Sequence, residues 1–308
     1  MASARDIRRR IKGVKGTGKI TRAMEMISAV KMRKAVGNVL AIRPYAQSAI
    51  ELLRQLDRAV GEERHPLVTE RPVKKELYVV VTSNRGLCGA FNAQIVKRLR
   101  QVLKEDEGRE RAFITIGKKG ENAVRRMNGE IVASFPDVLT SPTAEGMRGV
   151  AHVIMDEFTS LRVDRVVVIY TDFISMLSQE VKVRALLPVA LSDTKKAMHE
   201  ITSLTSDGDE MRQNNSRGTT ETSEYTIEPS PQSVLEQMIP RLIEMELYHA
   251  ILESNASQES ARMMAMRNAT DAAKDMVSDL TLAYNQLRQG KITQEIAELS
   301  AGMAAVQK

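Results

Sequence analysis

An α/β fold, with long helices at both chain ends around a central and mostly parallel five-stranded sheet, follows from three observations. The middle of the chain alternates short apolar runs with amphipathic stretches. Both ends carry apolar positions three and four residues apart over many turns. Aromatic residues make up only 4% of the sequence, which has no Trp but 17 Met. Strands separated by helices imply a largely parallel, Rossmann-like sheet covered on both faces. A sustained 3–4 alternation is the seam of a coiled coil. Few aromatics and many flexible Met side chains suit long helices better than a compact enzyme.

The N-terminal tract, residues 1–60, reads as one coiled-coil helix. Ile7, Ile11 and Val14, then Ile20, Met24 and Ile27, keep the spacing, with a phase break expected at "GTG". From Val39 the seam runs through Ile42, Ala46, Ala49, Leu53, Leu56 and Val60. Pro44 falls inside that run and is expected to kink the helix without ending it.

Residues 74–191 read as the α/β domain. "ELYVVVT", "AFITIG", "EIVASF", "RVVVIYT" and "EVKVRALLP" are its strands, and "FNAQIVKRLRQVL", "KGENAVRRM" and "AEGMRGVAHVIMDEF" its helices. Residues 192–231 are polar and read as a loop or insertion. Residues 232–308 form the second coiled-coil helix. Its seam starts at Leu235, Met238, Leu242 and Met245 and is interrupted by His249, Glu259 and Thr270. It continues through Ala273, Val277, Leu280, Tyr284 and Leu287, then slips by one residue to Ile292, Ile296, Leu299, Met303 and Val306. At ~1.5 Å per residue such a rod would be roughly 110 Å long, too long for the core of a compact domain. The N-terminal tract is its natural partner.

Charge is uneven. Residues 1–60 hold fourteen Lys or Arg against Asp6, Glu25, Glu51 and Asp57, so this segment is +10 in a chain of net +6. A basic end seeks an acidic partner, whether nucleic acid, lipid headgroups or a carboxylate-rich protein surface. The nucleic-acid reading lacks stacking aromatics and any recognisable module. One cysteine, Cys88, excludes an intramolecular disulfide and fits a reducing compartment. No run of 18 apolar residues is present to span a membrane.

Three stretches invite a chemical reading. "GVKGTGKIT" places Gly13, Gly18 and Lys19 in the frame of a phosphate loop. That frame needs a preceding strand and a following Ser or Thr; here a basic helical segment precedes it and Ile20 replaces the hydroxyl. "TSNRGLCGAFN" follows the first strand, where a doubly wound sheet binds ligands, but the G-x-G-x-x-G fingerprint is missing and no acidic residue ends the second strand. Cys88 has no His partner visible in sequence, and His249 no second ligand at metal spacing. A nucleotide-dependent enzyme is therefore the weaker reading. No cofactor or catalytic group is assigned.

The opening "ARDIRRRIKGVKGTGKITRAMEMISAVKMRKA" with "RPYA", the central "SNRGLCGAFN" and "GKKG", and the closing "ESNASQESARMMAMRNATDAAKDMVSDLTLAYNQLRQGKITQEIAELSAGMAAV" resemble the gamma subunit of F-type ATP synthase. The resemblance runs in order along nearly the whole chain and fails only in the polar stretch after Leu191. It implies an antiparallel coiled coil inside a ring of α and β subunits, with the α/β domain at the foot against the epsilon subunit and the membrane c-ring. It also implies a non-catalytic rotor, peripheral on the cytoplasmic face of a bacterial plasma membrane. The absence of a transit segment before the family start favours a bacterial source. Met24 matches a position beside an acidic loop of the β subunit, and Arg288 with Gln289 a pair that engages a β-subunit loop. Arg262, Thr293 and Glu295 match positions tied to coupling, and Glu228 the foot region facing the c-ring.

Overall fold

The computed structural model describes residues 4–42, 45, 48, 65–105, 108–140, 142–189 and 230–306. Pro44, the seam positions from Ala46 to Val60, the polar segment up to residue 229 and Glu228 lie outside them. The chain divides into two compact units, Met1–Val30 with Arg262–Lys308, and Lys31–Ala261.

The larger unit is built on strands β1 (Lys75–Val81), β2 (Glu110–Ile116), β3 (Glu130–Ser134), β4 (Arg165–Phe173) and β5 (Gln179–Leu187). Their order is β3-β2-β1-β4-β5; β5 alone runs antiparallel, paired with β4. All five strands and the three helices between β1 and β4 fall where the apolar runs place them: α2 (Phe91–Glu105), α3 (Lys118–Arg126) and α4 (Ala144–Thr159).

β1 shows why its run is apolar without alternation. Leu77, Val79 and Val81 face a core with α4 residues Met147, Val150, Ile154 and Phe158, while Tyr78 and Val80 face another with α2 residues Phe91, Ile95 and Leu99. Both faces are covered, so successive residues are equally apolar. On α2 the buried positions Phe91, Ile95, Leu99 and Val102 recur at helical spacing. α4 starts at Thr143, whose hydroxyl accepts the Gly146 N–H at 3.1 Å.

Asp164 fastens the lower edge of the sheet. Its carboxylate accepts the N–H groups of Lys74 and Lys75 at 2.9 and 3.0 Å and pairs with Arg71 at 3.1 Å. Arg71 lies 4.2 Å over the Phe158 ring. Partial burial pushes the carboxyl up, but the two N–H donors and Arg71 together hold it below the ordinary Asp value. A lowered folded value means stability that is present above the unfolded pKa and lost as pH falls through the folded one. Asp164→Asn should therefore cost about 1–2 kcal/mol at neutral pH and nothing in strong acid, by urea unfolding at each pH.

Two long helices complete the chain: α1 (Ala4–Ala41) and α5 (Pro231–Val306). α1 passes through "GTG" without interruption, against the phase break expected there. Its covered face runs through Ile7, Ile11, Val14, Gly18, Thr21, Glu25, Ser28, Met32, Ala35 and Val39, an unbroken four-three alternation flanked by the half-buried Met24, Ala29, Val36 and Asn38. Ile20 and Ile27, expected in the seam, are 63% and 57% exposed. Hydropathy misplaced the phase because small and hydroxyl residues occupy the closest approach. In the smaller unit a Cβ at Gly18 would meet the Ala273 Cβ at 3.4 Å, and the Thr21 and Thr270 hydroxyls bond at 2.8 Å. Numbers rise on one helix as they fall on the other, so the pair is antiparallel.

α5 corrects a second expectation. From His249 to Ser260 every residue is buried except the half-buried Asn255, so this stretch of the helix is covered all round. Ile239, Ile243, Leu247 and Ile251 belong to the α4-side core of the sheet, and Ala261 packs against the α2-side core. The first half of α5 is thus core of the larger unit. The expected seam holds from Met263 through Met266, Thr270, Ala273, Val277, Leu280 and Tyr284.

Candidate functional site

Doubly wound sheets take ligands at the C-terminal ends of their strands. Here that edge is filled from within. The N-terminus of α3, the natural anion position, has its first four N–H groups committed. Lys118 donates to Asn84 Oδ1 at 3.0 Å, Lys119 to the Ser83 carbonyl at 3.1 Å, Gly120 to Thr82 Oγ1 at 2.7 Å and Glu121 to the Gly117 carbonyl at 3.4 Å. The two glycines of "GKKG" make this contact possible. Gly117 has φ +97°, and a Cβ there would stand 2.0 Å from the Thr82 carbonyl oxygen; one at Gly120 would stand 2.8 Å from Thr82 Oγ1.

"SNRGLCGAFN" closes the neighbouring position. Asn92 Oδ1 accepts the Ser83 N–H at 3.0 Å, and its amide donates to Ser83 Oγ at 2.7 Å and to Cys88 Sγ at 3.1 Å. Cys88 is 1% exposed and sits in the α2-side core. α5 then crosses the same edge, with Ser257 donating to the Thr171 carbonyl at 3.3 Å and Ser260 to that of Met176 at 2.8 Å. The signature stretches are therefore packing devices. Among the described residues no group of three or more His, Cys, Asp or Glu is arranged for a metal ion, and no helix is long and apolar enough to cross a membrane.

The smaller unit presents a different kind of surface. Between α1 and α5 lies an open groove of about 680 Å³, with Val14, Gly18, Ala23, Ala273 and Val277 in its lining and Lys15, Lys19, Arg22 and Lys274 among them. Gly18 and Lys19, read as part of a phosphate frame, are here a helix–helix contact and its exposed neighbour. Outside the groove stand exposed apolar side chains: Ile20, Ile27 and Val30 on α1, and Leu282, Ile292, Ile296, Leu299 and Met303 on α5. The last four were expected in the seam. Counting from the Thr21–Thr270 contact, Ala4 is level with about Leu287, so the described part of α1 ends before them. Sequence spacing found this stripe, and the described part of α1 does not cover it.

The residues singled out by sequence lie at two levels. Met24 and Arg262 are half-buried, near the Thr21–Thr270 contact. Arg288, Gln289, Thr293 and Glu295 are exposed on the last turns of α5, about 30 Å away along the helix at ~1.5 Å per residue. Thr293 donates to the Gln289 carbonyl at 3.0 Å and Lys291 reaches Glu295 at 3.7 Å. The fold brings these four together and keeps Met24 apart from them.

A family model described as ATP synthase matches residues 3–306. The ATP synthase gamma chain of Moorella thermoacetica is 40% identical over 306 residues, covering 99% of this chain and all of that one. The chain belongs to the ATP synthase gamma chain family. The gamma chain of Acidithiobacillus ferrooxidans is likewise 40% identical, over 308 residues and with the same coverage. Among solved structures, a chain of the OSCP/F1/c-ring of Euglena gracilis mitochondrial ATP synthase has a similar fold, with a TM-score of 0.64 at 18% identity, covering 98% of this chain and 94% of that one. The central stalk/c-ring of the Tetrahymena thermophila enzyme gives 0.56 at 22%, covering 81% and 99%.

Proposed function

We propose that this gamma chain is the central rotor shaft of an F-type ATP synthase, turned by ion flow through the membrane c-ring and driving ATP synthesis in the surrounding α and β subunits. In reverse, ATP hydrolysis turns the shaft. The observation that carries the reading is the exposed apolar stripe of α5, Ile292 to Met303, which lies past the level reached by the described part of α1. A stripe of that kind calls for cover by other chains.

The mechanism is allostery by rotation. Two helices of unlike sequence offer a different face at each angle, so each orientation favours a different β-subunit conformation and moves three β subunits through their affinities in turn. Met24, Arg288 and Gln289 contact the β subunit, and Arg262, Thr293 and Glu295 act in coupling. The larger unit is the foot, with Glu228 on the side of the c-ring and the epsilon subunit as neighbour. The chain supplies neither a catalytic group nor a cofactor of its own. It works as a peripheral subunit on the cytoplasmic face of a bacterial plasma membrane.

Copurification tests the assembly: the chain should bring down α, β and epsilon chains, and recovery of RNA or DNA in their place defeats the reading. Arg288→Ala with Gln289→Ala tests the contact. Both side chains are exposed, so helicity and assembly should stay near normal. Charge-assisted bonds to the ring are lost, and steady-state ATP turnover should fall severalfold. Wild-type turnover in the assembled variant removes these residues from the contact. Failure to assemble makes them structural.

A further inference from the structure

The two helices on one face of the sheet carry as much net charge as the whole chain. α2 holds Lys97, Arg98, Arg100 and Lys104 against Glu105, and α3 holds Lys118, Lys119, Arg125 and Arg126 against Glu121, a net +3 on each in a chain of net +6. On the other face of the sheet α4 is net −2, with Glu145, Asp156 and Glu157 against Arg148.

α2 and α3 cover that face together. Phe91, Ile95, Leu99 and Val102 of α2 and Val124 of α3 belong to one core, with Tyr78 and Phe113 of the sheet. By helical spacing Lys97, Arg100 and Lys104 fall on the side of α2 away from this core, and Lys118, Lys119 and Arg126 do so on α3, along roughly 10 Å of each helix. All six are exposed. Glu105 reaches Arg98 at 3.8 Å and Glu121 reaches Arg125 at 2.9 Å, so the six cations have no carboxylate partner among the described residues.

The chemistry of this face selects its partner. Neither helix exposes a large apolar side chain. Protein interfaces are anchored by aromatic and apolar residues at their centre and are depleted of Lys, so a face with no anchor suits a protein poorly. Single-stranded nucleic acid is held by stacking on aromatic rings, which these rows lack. Anionic lipid headgroups need neither, since clusters of about four to eight Lys or Arg attach to them by charge alone. We propose that the outer face of α2 and α3 is a docking surface for an anionic lipid bilayer. This rests on the reading of the chain as a subunit that works at a bacterial membrane. The contact is screened beyond about 10 Å at 0.1 M salt, and fluid headgroups can exchange beneath a foot that turns.

The experiment is cosedimentation of the full chain with vesicles of mixed phosphatidylglycerol and phosphatidylcholine, and with phosphatidylcholine alone. The wild type should bind only the mixed vesicles, and less tightly as salt rises. Each cation near such a surface strengthens attachment roughly fivefold, so Lys97→Gln, Arg100→Gln, Lys118→Gln and Arg126→Gln together should weaken it about a hundredfold or more. Arg8→Gln, Lys12→Gln, Lys15→Gln and Lys19→Gln remove the same charge from exposed positions of α1 and should weaken it less than about tenfold. Equal losses in the two variants, wild-type attachment of the first, or equal binding to phosphatidylcholine alone overturns the proposal. A wild type that retains RNA and ignores the vesicles overturns it in favour of nucleic acid. The first variant should still recover α, β and epsilon chains; their loss makes the face a protein contact instead. A wild type that recovers none of those chains defeats the rotor reading alone, and the vesicle result still decides this face. If the fourfold variant does not fold, Arg100→Gln decides, with an expected loss of about fivefold.

Discussion

Gly117→Val should destabilise the full chain by about 3–5 kcal/mol, the largest effect expected of any glycine in the sheet. Two causes add. At φ +97° a β-branched residue adopts a backbone that L side chains disfavour by roughly 1–2 kcal/mol. Its Cβ would also overlap the Thr82 carbonyl oxygen at 2.0 Å, and neither backbone can retreat without breaking the hydrogen bonds that seat α3 on β1. Overpacking of that kind costs about 1–3 kcal/mol more. Gly13→Ala is the control. Nothing lies within 4 Å of a Cβ there and the residue is inside α1, so Ala should stabilise by about 0.5–1 kcal/mol. Urea midpoints that are unchanged in Gly117→Val would show that the close approach is not as described.

The same substitution made twice on α5 should separate folding from assembly. Ile251 is fully buried among β-sheet and α4 side chains, whereas Ile296 is 58% exposed. Ile251→Asp places a carboxylate in an apolar core with no partner, an expected loss of about 5 kcal/mol or more that leaves little folded chain. Ile296→Asp changes nothing inside the chain and should move stability by less than about 0.5 kcal/mol. Under the rotor reading it puts a charge where the ring supplies an apolar lining, so assembly or ATP turnover should drop at least tenfold. Circular dichroism and copurification with the α and β subunits read the two outcomes. Normal assembly and turnover of Ile296→Asp would falsify the assignment of the stripe as a bearing surface.

How legible the molecule was from sequence depended on how apolar each boundary was. The strands were plain because a sheet buried on both faces needs uninterrupted runs such as Tyr78 to Val81. The α1 seam was misread because hydropathy rewards Ile20 and Ile27, while close helix approach rewards Gly18, Thr21 and Ser28. Periodicity marked Ile292 to Met303 as a seam but could not tell a partner within the chain from one outside it. The buried polar run around Glu253 looked like a flaw in a coiled coil, since sequence gives no hint that β4 and β5 pack there. Arg288 and Gln289 carry no local signal at all; only the family resemblance raised them.

The seclusion of Cys88 has a practical result. The chain's sole thiol is walled into the sheet by Ser83 and Asn92, and reagents that need an accessible thiolate should pass it by. A cysteine introduced at exposed Lys291 would then be the one site open to maleimide in an otherwise native sequence. Dyes, spin labels or beads could be fixed to the end of α5 with no background from the parent chain, so that its angle could be followed one molecule at a time.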